Sequence, residues 1–167
     1  GKSRFLEDIE FLAQNDTPTH RTIYLNDAPP PTDWRFTAER SLVAQLSQNM
    51  NFVMDLSVKD FIQMHAESRL VSNPAEMVAD ILACANRLSG ESFEPSTSLT
   101  QLSGGQSRAL MIADTALLSA SPVVLIDEIE NAGVDRQEAL NLLIKKDKII
   151  FVSTHDPLLA LSGDKRL

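Results

Sequence analysis

The chain has one cysteine, one tryptophan and one tyrosine, and aromatic residues make up only 5% of its 167 positions. A single thiol cannot close an internal disulfide or build a cysteine metal cluster, which excludes a disulfide-stapled scaffold and a cysteine zinc site. Cys84 falls on the apolar side of a helix-like segment and reads as a small buried hydrophobe in a reducing compartment. Apolar runs are also short. None approaches the roughly 20 residues of a membrane span, and the first residues do not resemble a signal peptide, so a soluble, cytoplasmic chain is expected. Basic residues are in deficit: a formal net charge of −8 argues against a basic stripe, and no nucleic-acid partner is expected. Internal repeats and long low-complexity tracts are lacking, and the cluster Pro29-Pro30-Pro31 marks a surface loop.

What is present is concentrated in short motifs. Leu102-Ser103-Gly104-Gly105-Gln106 stands just before a helix-like segment, residues 107–119. Glycines let the backbone approach an anion, a serine hydroxyl can donate to it, and a helix N-terminus adds partial positive charge. The same residues also suit a flexible loop that caps a helix. Downstream, Pro122 precedes the apolar run Val123-Val124-Leu125-Ile126 and then Asp127-Glu128. That pattern predicts a buried parallel strand delivering two carboxylates to its C-terminal edge, where ligands bind in α/β sheets. Asp127 there is expected to hold Mg²⁺, directly or through water, and Glu128 to orient or deprotonate an attacking water, although such a pair also suits a plain solvated turn. A second run, Ile149-Ile150-Phe151-Val152, leads into Ser153-Thr154-His155-Asp156 in the same way.

In this order and spacing the motifs resemble an ATP-binding cassette (ABC) ATPase. The chain opens Gly1-Lys2-Ser3, similar to the end of a phosphate loop GxxxxGK[ST], followed by a helix-like segment 4–14 with Phe5, Leu6, Ile9 and Leu12 on one face. The resemblance implies that Gly1 and Lys2 bind the nucleotide phosphates and that Ser3 ligates Mg²⁺. Gln48, after the strand-like run 42–47, matches the Q-loop, whose amide touches Mg²⁺ or the attacking water. His155 matches the switch histidine, a catalytic contact to the γ-phosphate. Ser103, Gly104, Gly105 and Gln106 match the signature that binds ATP held by a second subunit. Ala132-Gly133-Val134-Asp135 resembles the D-loop at the subunit interface, although Asp135 also stands three residues before Glu138, as a helix N-cap does.

The expected fold class is therefore α/β, a P-loop NTPase-type sheet flanked by helices, with a helical subdomain at residues 57–100 inserted between Q-loop and signature. Ser57 predicts a helix to about Arg69 that buries Val58, Phe61 and Ile62. Asn73-Pro74 starts another that carries Met77, Val78, Ile81, Leu82, Ala85 and Leu88 and stops before Gly90. Met64 and Met77 are expected in the core. The coarse order is helix, strand, loop, strand, two helices, signature helix, strand, helix, strand, helix. Family ATPase domains are larger and carry strands ahead of the phosphate loop, so residues 1–167 are expected to be part of such a domain, incomplete at the N-terminus and at the C-terminus.

The activity implied is Mg²⁺-dependent ATP hydrolysis, with ATP sandwiched in a head-to-tail homodimer or paired ABC-type subunits. The insertion is too short for the long coiled coils of chromosome-maintenance relatives. The motor subunit of a transporter, attached to the membrane through a permease subunit, is the first reading. A soluble ABC-type ATPase acting on a protein partner and a non-catalytic interaction module are the alternatives. Ile129 in place of the usual proline, the longer run Glu130-Asn131 before Asp135, Arg4 and Arg108 all depart from the transporter pattern and keep those alternatives open.

Overall fold

The computed structural model describes residues 2–36, 41–47, 52–128 and 133–165. The β-branched and apolar runs form three strands, β1 (Val43–Leu46), β2 (Val123–Asp127) and β3 (Ile149–Ser153), paired in parallel in the order β1-β2-β3. The register sets Val43 opposite Val123, Val123 opposite Ile149 and Asp127 opposite Ser153, which brings the ends of β2 and β3 to one edge. Val124 and Leu125 are completely buried, as expected of a strand covered on both faces.

Two units make up the chain: a sheet unit of residues 1–47, 120–129 and 148–167, and a helical unit of residues 48–119 and 130–147. In the sheet unit, helix α1 (Lys2–Glu10) packs Leu6 and Ile9 on Val43 and Leu125, with Phe5, Ile23, Leu42, Val123 and Phe151 around them. The predicted helix ran to Gln14, but α1 stops at Glu10. Leu12 takes a left-handed φ of 48°, and the Ala13 N–H donates back to the Asp8 carbonyl. Leu12 still reaches the core, at 3% exposure, from this turn rather than from a helical face.

Asp8 explains how the following loop is held. Its buried carboxylate accepts from the hydroxyls of Thr17 and Thr19, at 2.8 and 2.7 Å, and pairs with Arg21 at 2.8 Å. Removal from water opposes the charge, but the Arg21 guanidinium and the two hydroxyls outweigh it and hold the Asp8 carboxyl below its ordinary value. The strand expected between the first helix and the proline loop does not form. The segment carries only isolated bridges, Gln14 with Thr22 and Leu25 with Ala28, and left-handed residues at Asn15, His20, Asn26 and Asp27 keep it turning. Pro29 and Pro31 are exposed, whereas Pro30 is buried just ahead of a short helix, α2 (Thr32–Phe36).

The helical unit contains α3 (Val58–Ser68), α4 (Pro74–Ser89), a 3-10 turn (Leu99–Gln101), α5 (Gly104–Leu117) and α6 (Arg136–Lys145). Ser57 caps α3, and Asn73 caps α4 with Pro74 at its first position. Gly90 ends α4 with a left-handed φ of 67°. Helix α4 packs against α3 and α5, and α5 against α6. Val58, Ile62, Ile81, Leu88, Leu99, Leu110 and Leu143 are completely or almost completely buried between them. His65 on α3 adds a polar tie to α5, with Nδ1 3.2 Å from both carboxylate oxygens of Asp114. Met64 departs from expectation. It is 43% exposed, because α3 buries the face of Val58, Phe61, Ile62 and Ala66 instead, and Met77 is half-buried. In the sheet unit, β3 is followed by a short helix, α7 (Pro157–Ser162), capped by Asp156.

Candidate functional site

The candidate residues fall into two groups, one in each unit. In the sheet unit, β2 ends at Asp127 and the next residue, Glu128, takes a left-handed φ of 53°. A left-handed conformation is uncommon for a residue with a side chain and costs about 1–2 kcal/mol. The Glu128 N–H donates to the Ser153 carbonyl at 3.0 Å, so the pairing of β2 with β3 continues through this residue. The Glu128 carboxylate lies beside His155, with Nε2 3.6 Å from Oε1. The His155 side chain is 72% exposed and that of Glu128 29%. At that distance and exposure the pair contributes only about 0–1 kcal/mol to stability. What it provides is a carboxylate and an imidazole side by side at a strand edge.

Lys2, the first residue of α1, reaches the same edge. Its Nζ donates to the Thr154 carbonyl at 2.8 Å, one residue before His155. The bond is exposed and made to a neutral acceptor, so a phosphate oxygen can displace it at little cost. Ser3 is exposed on the first turn of α1, and Asp127 is half-buried at the end of β2. Four of the sequence candidates, Lys2, Asp127, Glu128 and His155, thus come from the start of α1 and the ends of β2 and β3. Sequence reasoning missed the backbone acceptors of Thr154 and Ser153, which no side-chain motif signals.

In the helical unit, α5 begins at Gly104, earlier than the segment 107–119 predicted, because Ser103 is its N-cap. The Gln106 N–H donates to Ser103 Oγ at 3.2 Å, and the Ser103 N–H donates to Gln106 Oε1 at 2.9 Å, a complete capping box. The glycines are therefore the first helical turn rather than a loop before it. The Ser103 hydroxyl accepts in this box and keeps its proton to donate, whereas the Gln106 amide is engaged by the helix itself. Asp135 is the N-cap of α6: its carboxylate accepts from the Glu138 N–H at 2.9 Å. Its own N–H donates to the Leu88 carbonyl at the end of α4, at 2.9 Å. Gly1 and Gln48, the other two candidates, lie outside the described residues.

The donor types suit Mg²⁺. A serine hydroxyl and a carboxylate are hard oxygen ligands, and Mg²⁺ typically takes one or two such groups and completes its shell with phosphate oxygens and water. Among the described residues there is no cluster of three or more His, Cys, Asp or Glu side chains able to hold a metal, so a bound cation would have to rely on such outside oxygens. No helix among the described residues is long and apolar enough to cross a membrane.

Comparison with known proteins identifies the family. A family model for ABC transporters matches residues 1–131. An uncharacterised ABC transporter ATP-binding protein of Methanocaldococcus jannaschii is 52% identical over 167 residues, all of this chain and 64% of that protein. The chain thus spans just under two thirds of the length of this curated relative. Among solved structures, cbiO1 from Clostridium perfringens, part of the ABC transporter complex cbiONQ, is similar with a TM-score of 0.59. Its 21% identity, over 93% of this chain and 63% of that one, shows a shared α/β fold. With a family match over residues 1–131, most of its length, and 52% identity over its 167 residues to an ABC transporter ATP-binding protein, the chain belongs to the ABC transporter ATP-binding family.

Proposed function

We propose that residues 1–167 are part of the ATPase domain of an ABC transporter motor subunit, with residues 57–100 as its inserted helical subdomain. It binds ATP with Mg²⁺ and hydrolyses it in a head-to-tail pair of subunits. The observation that carries the reading is the meeting of Lys2, Glu128 and His155 at one edge of a parallel sheet. The transporter name of the M. jannaschii relative favours a membrane permease as the partner over a soluble target. On this reading the subunit sits on the cytoplasmic face of the membrane, held there by that partner.

In this mechanism Gly1 and Lys2 cradle the phosphates, with the Lys2 ammonium exchanging the Thr154 carbonyl for β- and γ-phosphate oxygens. Ser3, Gln48 and Asp127 hold Mg²⁺, which when bound neutralises charge on the phosphate oxygens. The Glu128 carboxylate orients a water and accepts its proton as the water oxygen bonds to the γ-phosphorus and the bond to the ADP oxygen breaks. His155 donates to the γ-phosphate, and its nearness to Glu128 ties that contact to the base. Ser103, Gly104, Gly105, Gln106 and Asp135 act on the nucleotide of the partner subunit, through the Ser103 hydroxyl and the amides of the first turn of α5. Positioning and charge stabilisation supply most of the rate in such chemistry.

The test is Glu128→Gln in the full-length protein, followed by light scattering with Mg²⁺ and ATP. The variant keeps ATP binding, accumulates as a nucleotide-dependent dimer and loses at least about 100-fold in turnover, as removal of a general base does. Wild-type turnover in the variant would remove Glu128 from the mechanism. A monomer at saturating ATP would favour the non-catalytic module.

A further inference from the structure

We propose that Gly105 and Gly133 are positioning residues, whose backbone contact fixes the first turn of α5 to the turn leading into Asp135, so that the two elements act on the nucleotide as one piece. The consequence for turnover rests on the ATPase reading above. The contact itself does not.

The two signature glycines differ in their surroundings. A Cβ placed on Gly104 would meet nothing within 4 Å, so its backbone faces open space that a ligand can enter. A Cβ on Gly105 would stand 2.7 Å from the Gly133 carbonyl oxygen and 3.4 Å from its carbon. In the other direction, a Cβ on Gly133 would lie 3.3 Å from the Gly105 Cα. Both obstacles are backbone, which cannot swing aside by changing rotamer as a side chain can. Gly133 also has a left-handed φ of 63°.

The segment beyond Gly133 is held from two further directions. The Asp135 N–H is anchored on the Leu88 carbonyl, which attaches the turn to the C-terminal end of α4. The Asp135 carboxylate caps α6, and Arg87 of α4 pairs with Glu138 in the first turn of α6. Residues 133–135 are thereby seated on α4, α5 and α6 together, all within the helical unit. On the ATPase reading, the α5 first turn and the Asp135 turn both address the nucleotide held by the partner subunit. A side chain wedged between Gly105 and Gly133 displaces both at once, while the subunit's own phosphate loop is spared.

The experiment compares Gly133→Ala and Gly133→Asn in the full-length protein by hydrogen exchange without nucleotide, ATP turnover, and affinity for a fluorescent, slowly hydrolysed ATP analogue. Asparagine tolerates the left-handed conformation, so it preserves the turn but not the space. Both variants are expected to speed exchange across residues 104–108 about fivefold or more. They should lower kcat about tenfold or more with analogue affinity within about twofold of wild type. Gly104→Ala, which meets no neighbour, should leave that exchange unchanged. Wild-type behaviour of Gly133→Asn would show that only the φ angle matters and overturn the contact, as would unchanged exchange in both variants. Faster exchange with wild-type kcat would overturn the positioning role. If the wild type hydrolyses no ATP, the ATPase reading fails, and the exchange measurement still decides the contact.

Discussion

On the ATPase reading, backbone strain and function meet in one residue, Glu128. Its left-handed backbone, at φ 53°, costs about 1–2 kcal/mol that glycine would not incur. Glycine would return about 0.4–1 kcal/mol of this by enlarging the entropy of the unfolded chain. The pair with His155, whose imidazole is exposed, contributes about 0–1 kcal/mol in the same direction as that entropy. The contributions nearly cancel, so Glu128→Gly is expected to shift stability by no more than about 1.5 kcal/mol, seen as a nearly unchanged thermal midpoint, while on the ATPase reading it abolishes turnover. A larger drop would mean that the carboxylate contributes more to stability than an ion pair of this exposure does. Two carboxylates after an apolar run mark the position of this residue, but nothing in that pattern signals its left-handed backbone or the bond from its N–H to the Ser153 carbonyl. Asp8 was equally hidden. An aspartate inside an amphipathic helix reads as solvated, and only the return of Thr17, Thr19 and Arg21 makes it a buried anchor.

At the scale of the element, α5 assigns two jobs to one serine. Ser103 caps the helix through an accepting oxygen, and on the ATPase reading it donates its proton to a phosphate. Substitution can separate the two. Ser103→Ala loses the cap and is expected to cost about 1 kcal/mol of stability. Ser103→Asp keeps the cap, and a negative charge at a helix N-terminus adds about 0.3–1 kcal/mol at most, so its thermal midpoint should match or exceed that of wild type. The same charge would repel the γ-phosphate and abolish ATP-dependent dimerisation. A Ser103→Asp protein that dimerises normally would show that this loop does not approach nucleotide. The cap was also why the predicted start of α5 fell late. Glycine is a poor helix interior residue, so the pattern points to a loop, yet within the first turn the capping box offsets that weakness. Helices α3 and α4 were far more legible, since Ser57, Asn73-Pro74 and Gly90 each act locally and their apolar periodicity matches the buried face.

For the whole molecule, hydrophobic pattern alone locates β1, β2 and β3 to within a residue or two, because each is a largely apolar run, although only β2 is buried along its middle. The failed strand before the proline loop lacks that continuity, and left-handed residues interrupt it. What no local pattern reveals is what covers the sheet. In the described sheet β1 and β3 are the outer strands, Ile149 at the start of β3 is 59% exposed, and Leu158 and Leu161 of α7 are 75% and 60% exposed. Strand edges flanked by apolar side chains are templates for pairing with another chain. The 167-residue chain expressed alone should therefore self-associate at concentrations of about micromolar and above, without nucleotide. Ile149→Lys should suppress this by placing a charge on the edge. Sedimentation velocity with and without Mg²⁺ and ATP distinguishes this association from the sandwich dimer, since edge pairing ignores nucleotide and yields to the lysine. A chain that stays monomeric at high concentration would show that its edges are already protected, and nucleotide-dependent association of that chain could then be read directly as the dimer.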